Sequence, residues 1–121
     1  MKARAAGMVQ ALHVPEVQFL GEQDGPPERL LKERLSSAFF FHPSLKEAYL
    51  AQVRYADEIC VALCIRSVDG PSQILAEVVA GVFGSIFGAR EHLDIVFVDD
   101  DHEAALRRVC RPFYSALALG R

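Results

Sequence analysis

The sequence has no excess of positive charge, no apolar run long enough to cross a bilayer, no CxxC pair and no short catalytic signature. Its 13 Lys and Arg stand against 16 Asp and Glu, giving a net charge of -3 and a pI of about 5.8. No global basic field therefore recruits nucleic acid or an anionic membrane surface. The longest apolar stretch, Ile74 to Ala89, is broken by Glu77 and falls short of the roughly 20 residues a spanning helix needs. Neither nucleic acid nor membrane is expected as a partner. The opening MKARAAGMVQALHVPE lacks the apolar centre and cleavage pattern of a signal peptide. The 3 cysteines, Cys60, Cys64 and Cys110, are an odd number without regular spacing. Free buried thiols in a reducing cytoplasm are the expectation.

The same holds for motifs of chemistry. His13, His42, His92 and His102 show no HxH or HExxH spacing, so no metal is expected. Gly84 to Gly88 misplaces the serine of a GxSxG elbow, and GVFGSIFG lacks the GK[ST] of a phosphate loop. No catalytic residue and no cofactor are expected.

What is present is a single folded domain. The chain has 121 residues, 51% of them hydrophobic, with a mean hydropathy of +0.16. That suits one core and leaves apolar surface for a partner. Residues 1–15 form a lead without a strong pattern, and residues 16–121 a single domain. Val17 to Leu20 reads as a short strand. A proline-led helix follows, with Leu31, Leu35, Ala38 and Phe39 on one face, closed by His42-Pro43. Leu45 to Tyr55 and Ile59 to Arg66 read as strands, the second apolar on both faces and so central. A helix stripe then runs Ile74, Leu75, Val78, Val79, Val82, Phe83, Ile86, Phe87. Leu93 to Val98 is a strand and Asp101 to Arg111 a last helix. The order β-α-β-β-α-β-α predicts an α+β fold: a two-layer ferredoxin-like β-α-β-β-α-β sheet with an additional C-terminal helix. The unit from Ile59 to Val98 is expected to cross over right-handed.

Three groups of residues invite a functional reading. The segment VDDDHE gathers Asp99, Asp100, Asp101 and His102. As a calcium loop starting at Asp99 it would place Ala104 at the turn glycine and Cys110 at the bidentate glutamate, so that reading is excluded. As a polar site it would use Asp99, Asp101 and His102. The simpler account is an N-cap at Asp100 or Asp101, with further acids complementing the helix dipole. Cys60, Ala62 and Cys64 share one strand face. The two sulfurs stand about 13 Å apart along the strand, too far to pair or to share an ion. Ala76, Ala80, Gly84 and Gly88 repeat every fourth residue opposite the apolar stripe. They form a ridge of small side chains that either packs on the last helix or a second subunit, or simply marks a fraying helix end.

The segment FLGEQDGPPERLLKERLSSAFFFHPSLKEAYLAQ resembles the opening of the C-terminal domain of the enhanced serine sensitivity (SseB) proteins. A short strand, a proline-led helix and the strand Leu45 to Gln52 carry the likeness. Ile59–Ile65 and LDIVFVDD continue it, from about Val17 to Tyr114. The resemblance implies a bacterial protein and brings no active-site residue with it. Such proteins usually carry an N-terminal domain as well. This chain is too short to include one, so it is expected to stand alone or to meet that domain on another chain.

These readings lead first to a non-catalytic interaction domain that forms a homodimer or docks on another protein. Cys60, Ala62 and Cys64, with Tyr49 or Leu50 beside them, are the first expected surface, because two-layer packing leaves one sheet face open. The alternative is a regulatory module that binds a small ligand such as an amino acid, an analogy at the level of the fold. An enzyme built on Asp99–Asp101 comes third.

Overall fold

A computed structural model describes residues 9–12, 17–55, 57–87 and 91–116, the first of these by backbone alone. Along the chain the elements are β1 (Val9–Leu12), β2 (Gln18–Glu22), α1 (Pro26–Phe39), β3 (Leu45–Tyr55), β4 (Glu58–Ser67), α2 (Gln73–Ile86), β5 (Leu93–Phe97), α3 (Asp100–Arg107) and β6 (Tyr114–Ser115). The α+β class is as expected from the sequence.

Local chemistry accounts for the element ends. Pro26 and Pro27 occupy the first turn of α1, where a missing N–H and a fixed φ cost nothing. The helix buries Leu31, Leu35 and Phe39, the i, i+4, i+8 stripe of an amphipathic helix. Ser72 caps α2 by accepting the Leu75 N–H at 3.2 Å, and that helix buries Leu75, Val79 and Phe83. Ile74 was expected on the same stripe but points outward, since it lies a full helical step from the line of buried side chains. Gly70 takes a φ of 78° in the turn before α2, a conformation that side-chain-bearing residues rarely adopt.

The strands form one mixed sheet in the order β1-β5-β4-β3-β2, with β6 also pairing β3. β1, β5 and β4 run parallel, while β3 is antiparallel to β4, β2 and β6. This corrects the ferredoxin-like expectation. In a split βαβ unit another strand lies between the two that the helix connects. Here α1 links β2 and β3, which are direct antiparallel neighbours, and β3 continues into β4 through a tight hairpin. Residues 1–15 were also read as a lead outside the domain, yet Val9–Leu12 adds a parallel strand alongside Leu93–Val96.

The two sheet faces carry separate cores. Leu31, Leu35 and Phe39 of α1 and Leu75, Val79 and Phe83 of α2 pack on Leu45, Ala48, Leu50, Leu63, Ile65, Leu93 and Ile95. On the other face Leu106 of α3 and Cys110 pack with Tyr49, Ala51, Val53, Ala62, Cys64, Val96 and Val98. The last helix thus supplies a third layer. The expected open face does not exist as such: Ala62 and Cys64 are wholly buried. They lie in the core that α3 closes. Packing of the small-residue ridge on the last helix is corrected too, because α2 and α3 lie on opposite faces.

Truncating the anchor of the third layer tests this arrangement. Leu106→Ala should lower the unfolding free energy by about 2–5 kcal/mol, as buried leucine deletions do, measured by urea denaturation. A loss below about 0.5 kcal/mol, typical of surface changes, would mean that α3 does not cover this face.

Candidate functional site

The parallel strands β4 and β5 both end where α3 begins, and a cavity opens beside the end of β4. Its volume is about 320 Å³, and Pro43, Lys46, Glu47, Arg66, Val68, Glu103, Arg107 and Ala116 line it. Ligands of sheets with parallel strands commonly sit beyond the strand carboxyl ends.

A register shift positions the charged lining. Between Leu45 and Glu47 the pairing of β3 with β4 slips, because Leu45 opposes Ser67 and Glu47 opposes Arg66. The extra residue is Lys46. Simple alternation would put residues three apart on opposite faces, yet Leu45 and Ala48 both join the α1–α2 core. The bulge therefore keeps Leu45 in the α1–α2 core while Glu47 and Tyr49 face α3, a re-aiming that bulges commonly perform, and the extra residue, Lys46, lines the cavity. On β4 the alternation Cys60, Ala62, Cys64 continues to Arg66, which reaches the same end.

The Tyr49 hydroxyl is the centre of the network. It lies 2.5 Å from Glu103 Oε2 and 2.9 Å from Glu47 Oε1, and it accepts a hydrogen bond from Arg107 Nε at 2.9 Å. Arg107 Nη2 also donates to Glu47 Oε1 and stands 3.5 Å from Glu103 Oε2. Ser115 Oγ donates to Glu47 Oε2 at 3.3 Å. Arg66 Nη2 pairs with Asp100, and its Nη1 lies 3.8 Å from Glu103 Oε1. Burial, then hydrogen bonding to Glu103, pushes the Tyr49 phenol far above its ordinary range. Burial also raises the Glu47 carboxyl, but hydrogen bonding with Glu103, Tyr49 and Arg107 outweighs it and holds the group below its ordinary value. Hydrogen bonds to Glu47 and Tyr49 raise Arg107 further.

A second polar cluster lies at the far end of the α3 face. Asp94 is buried, its Oδ2 is 2.5 Å from the Tyr55 hydroxyl, and Cys60 Sγ lies 3.3 Å from the same oxygen. Burial raises both the Tyr55 phenol and the Cys60 thiol. Burial likewise raises Cys64, and it pushes Cys110 up to about 11. All three thiols stay protonated near neutral pH, which removes the thiolate that nucleophilic chemistry needs.

The residues singled out in the sequence fall elsewhere. Asp99, not Asp100 or Asp101, is the N-cap of α3, accepting the His102 N–H at 2.8 Å. That bond holds the Asp99 carboxyl below its ordinary range. Asp101 is exposed, and His102 stands edge-on to Phe19 at 6.4 Å. None of the three lines the cavity. Ala76 is half-buried, while Ala80 and Gly84 are exposed. A side chain at Gly84 would meet nothing within 4 Å, and Gly88 lies outside the described residues. Among the described residues no three His, Cys, Asp or Glu side chains could hold a metal ion, and no helix is long and apolar enough to cross a membrane. Sequence reading missed Lys46, Glu47, Arg66, Glu103 and Arg107. The one local sign was Arg66, a cation ending a strand that is otherwise apolar on both faces.

The molecule is thus an α+β domain with helices on both faces of a mixed sheet and a charged cavity beyond its central strands. The family model described as the SseB protein C-terminal domain matches residues 16–115, and the chain belongs to that family. No curated protein and no solved structure matches it.

Removing the Glu47 charge should leave a pH signature. Its folded-state pKa lies below the ordinary 4.5. The carboxylate's contribution is therefore full above that value and is lost as pH falls through the lower folded-state value. Glu47→Gln should cost about 1–3 kcal/mol near neutral pH and much less at a pH well below 4.5, by urea denaturation at both. An equal cost at both pH values would show that the charge is not what the network uses.

Proposed function

We propose that this domain is a non-catalytic binding module and that a small ligand occupies the cavity at the end of β4. The observation that carries this reading is the cavity itself. Its volume of about 320 Å³ lies at the lower end of the roughly 300–1,000 Å³ of small-molecule sites. Three cations, Lys46, Arg66 and Arg107, and two carboxylates, Glu47 and Glu103, supply polar anchors, while Pro43, Val68 and Ala116 supply apolar wall. Protonation supports binding over turnover. The Tyr49 phenol and Arg107 are pushed up and Glu47 is pushed down, so each is held in one charge state near neutral pH. A general acid or base works best with a pKa near the working pH.

A thermal-shift screen of small carboxylates, amines, amino acids and phosphates tests the reading. Ligand at a hundredfold over its Kd stabilises by about 2.7 kcal/mol, which in a domain of this size raises Tm by several degrees. A panel without any shift at millimolar concentration would overturn the proposal.

Docking on a protein partner is the second reading, and the aromatic end of α1 favours it. Phe40 and Phe41 are 65% and 76% exposed and stack edge-on at 5.6 Å. Val68, 60% exposed, stands on the strip held by the bond from its N–H to Ser44 O at 2.8 Å. Exposed apolar clusters of this kind mark association surfaces. If the partner is a second copy, sedimentation across a concentration series should show a dimer that Phe41→Ser dissociates. A monomer at all concentrations would exclude self-association through this end.

A further inference from the structure

The charges of the cavity are not equivalent, and their differences indicate the ligand. Arg107 is committed to the network: its Nε serves Tyr49, and its Nη2 serves Glu47 and Glu103. Glu47 is engaged as well, by Arg107 and Ser115, with the Tyr49 hydroxyl 2.9 Å away. Glu103 takes the Tyr49 hydroxyl at 2.5 Å. A ligand amine would have to compete with these partners for either carboxylate.

Arg66 is different. Its Nη1 makes no hydrogen bond and stands 3.8 Å from Glu103 Oε1, and its Nη2 is met by Asp100, whose side chain is 88% exposed. An ion pair with so exposed an acid is weak, and the acid rejoins water at little cost when displaced. A guanidinium presents a planar fork that matches a carboxylate through two N–H groups. Lys46, placed in the cavity by the bulge, adds a second cation. A dianion would meet Glu47 and Glu103 at close range, so a single negative charge fits best.

We infer that the cavity binds a small monocarboxylate with a compact apolar body. The carboxylate takes the Arg66 fork in place of Asp100, with Lys46 beside it, and the apolar part lies against Pro43, Val68 and Ala116. Asp100 is then a built-in competitor for the site. This assignment rests on the reading of the cavity as a ligand site.

The test is a titration of the whole ¹⁵N-labelled chain near neutral pH with four probes: butyrate, butyramide, butylammonium and inorganic phosphate. Each is taken to about 20 mM, because ligands this small bind in the millimolar range. Butyrate should shift the amides of Glu47, Arg66, Val68 and Glu103 saturably, and uncharged butyramide should not. Arg66→Gln should abolish the shifts. Lys46→Gln, a change at an exposed position that carries no folding risk, should weaken binding several-fold. Asp100→Asn should tighten it, by about 1.5- to 5-fold, the range of exposed ion pairs. Equal binding of butyramide, or unchanged affinity in Lys46→Gln and Asp100→Asn, would overturn the carboxylate assignment. Binding of butylammonium or phosphate in place of butyrate would overturn the ligand class and leave the cavity a ligand site. Silence from all four probes would overturn this assignment, and the cavity reading would stand or fall on the broader thermal screen.

Discussion

A phenol buried between a sheet and a helix is a constraint that the rest of this end of the molecule answers. Tyr49 is fully buried, and its hydroxyl would cost a few kcal/mol if left without a partner there. Its partners come from both sides of the joint: Glu47 from its own strand, and Glu103 and Arg107 from α3. The apolar side of α3 contributes only Leu106 to the buried residues of that helix. A helix of 8 residues with one fully buried side chain gains little from propensity alone. The polar network therefore helps determine where α3 lies, and the third layer follows from it.

The bulge at Lys46 reconciles this network with the core. Without the extra residue, alternation would put Leu45 on the face of Glu47 and Tyr49 and take it out of the α1–α2 core. A one-residue slip reverses every side chain of a strand, so the shift is a choice of face for the whole start of β3. It keeps Leu45 in the α1–α2 core and still delivers Lys46 and Glu47 to the cavity. One local irregularity thus serves both the packing and the site.

How much of this was legible in the sequence depended on range. The helix α1, the strands β3, β4 and β5 and the helix α2 announce themselves through apolar period and proline, which are local signals. The family likeness rested on the same stretch. The sheet order was not legible, because β-α-β-β-α-β fits both the interleaved order and the neighbouring order found here. What decides between them is the pairing of Gln18–Glu22 with Ala51–Arg54, which no local pattern encodes. Val9–Leu12 lacked a pattern as an edge strand whose parallel partner lies more than 80 residues away. The acidic run was read correctly as capping, but the cap fell on Asp99. The cavity was hidden for the same reason of range: Glu47 and Arg107 are separated by 60 residues, and each alone looks like an ordinary surface charge.

The division of labour among the charges follows from the same geometry. Groups that hold α3 to the sheet must be well partnered, because a half-satisfied buried network costs more than it contributes. Arg107 and Glu47 spend their closest bonds on one another and on Tyr49. Arg66 stands at the edge of the network, at the end of β4, 3.8 Å from Glu103 and paired most closely with an exposed acid. It can exchange that exposed acid while Tyr49, Glu47 and Arg107 still tie α3 to the sheet. A site that binds without unfolding its own wall needs such a separation, and the proposed ligand would meet it by displacing Asp100 alone and leaving Tyr49, Glu47, Glu103 and Arg107 in place.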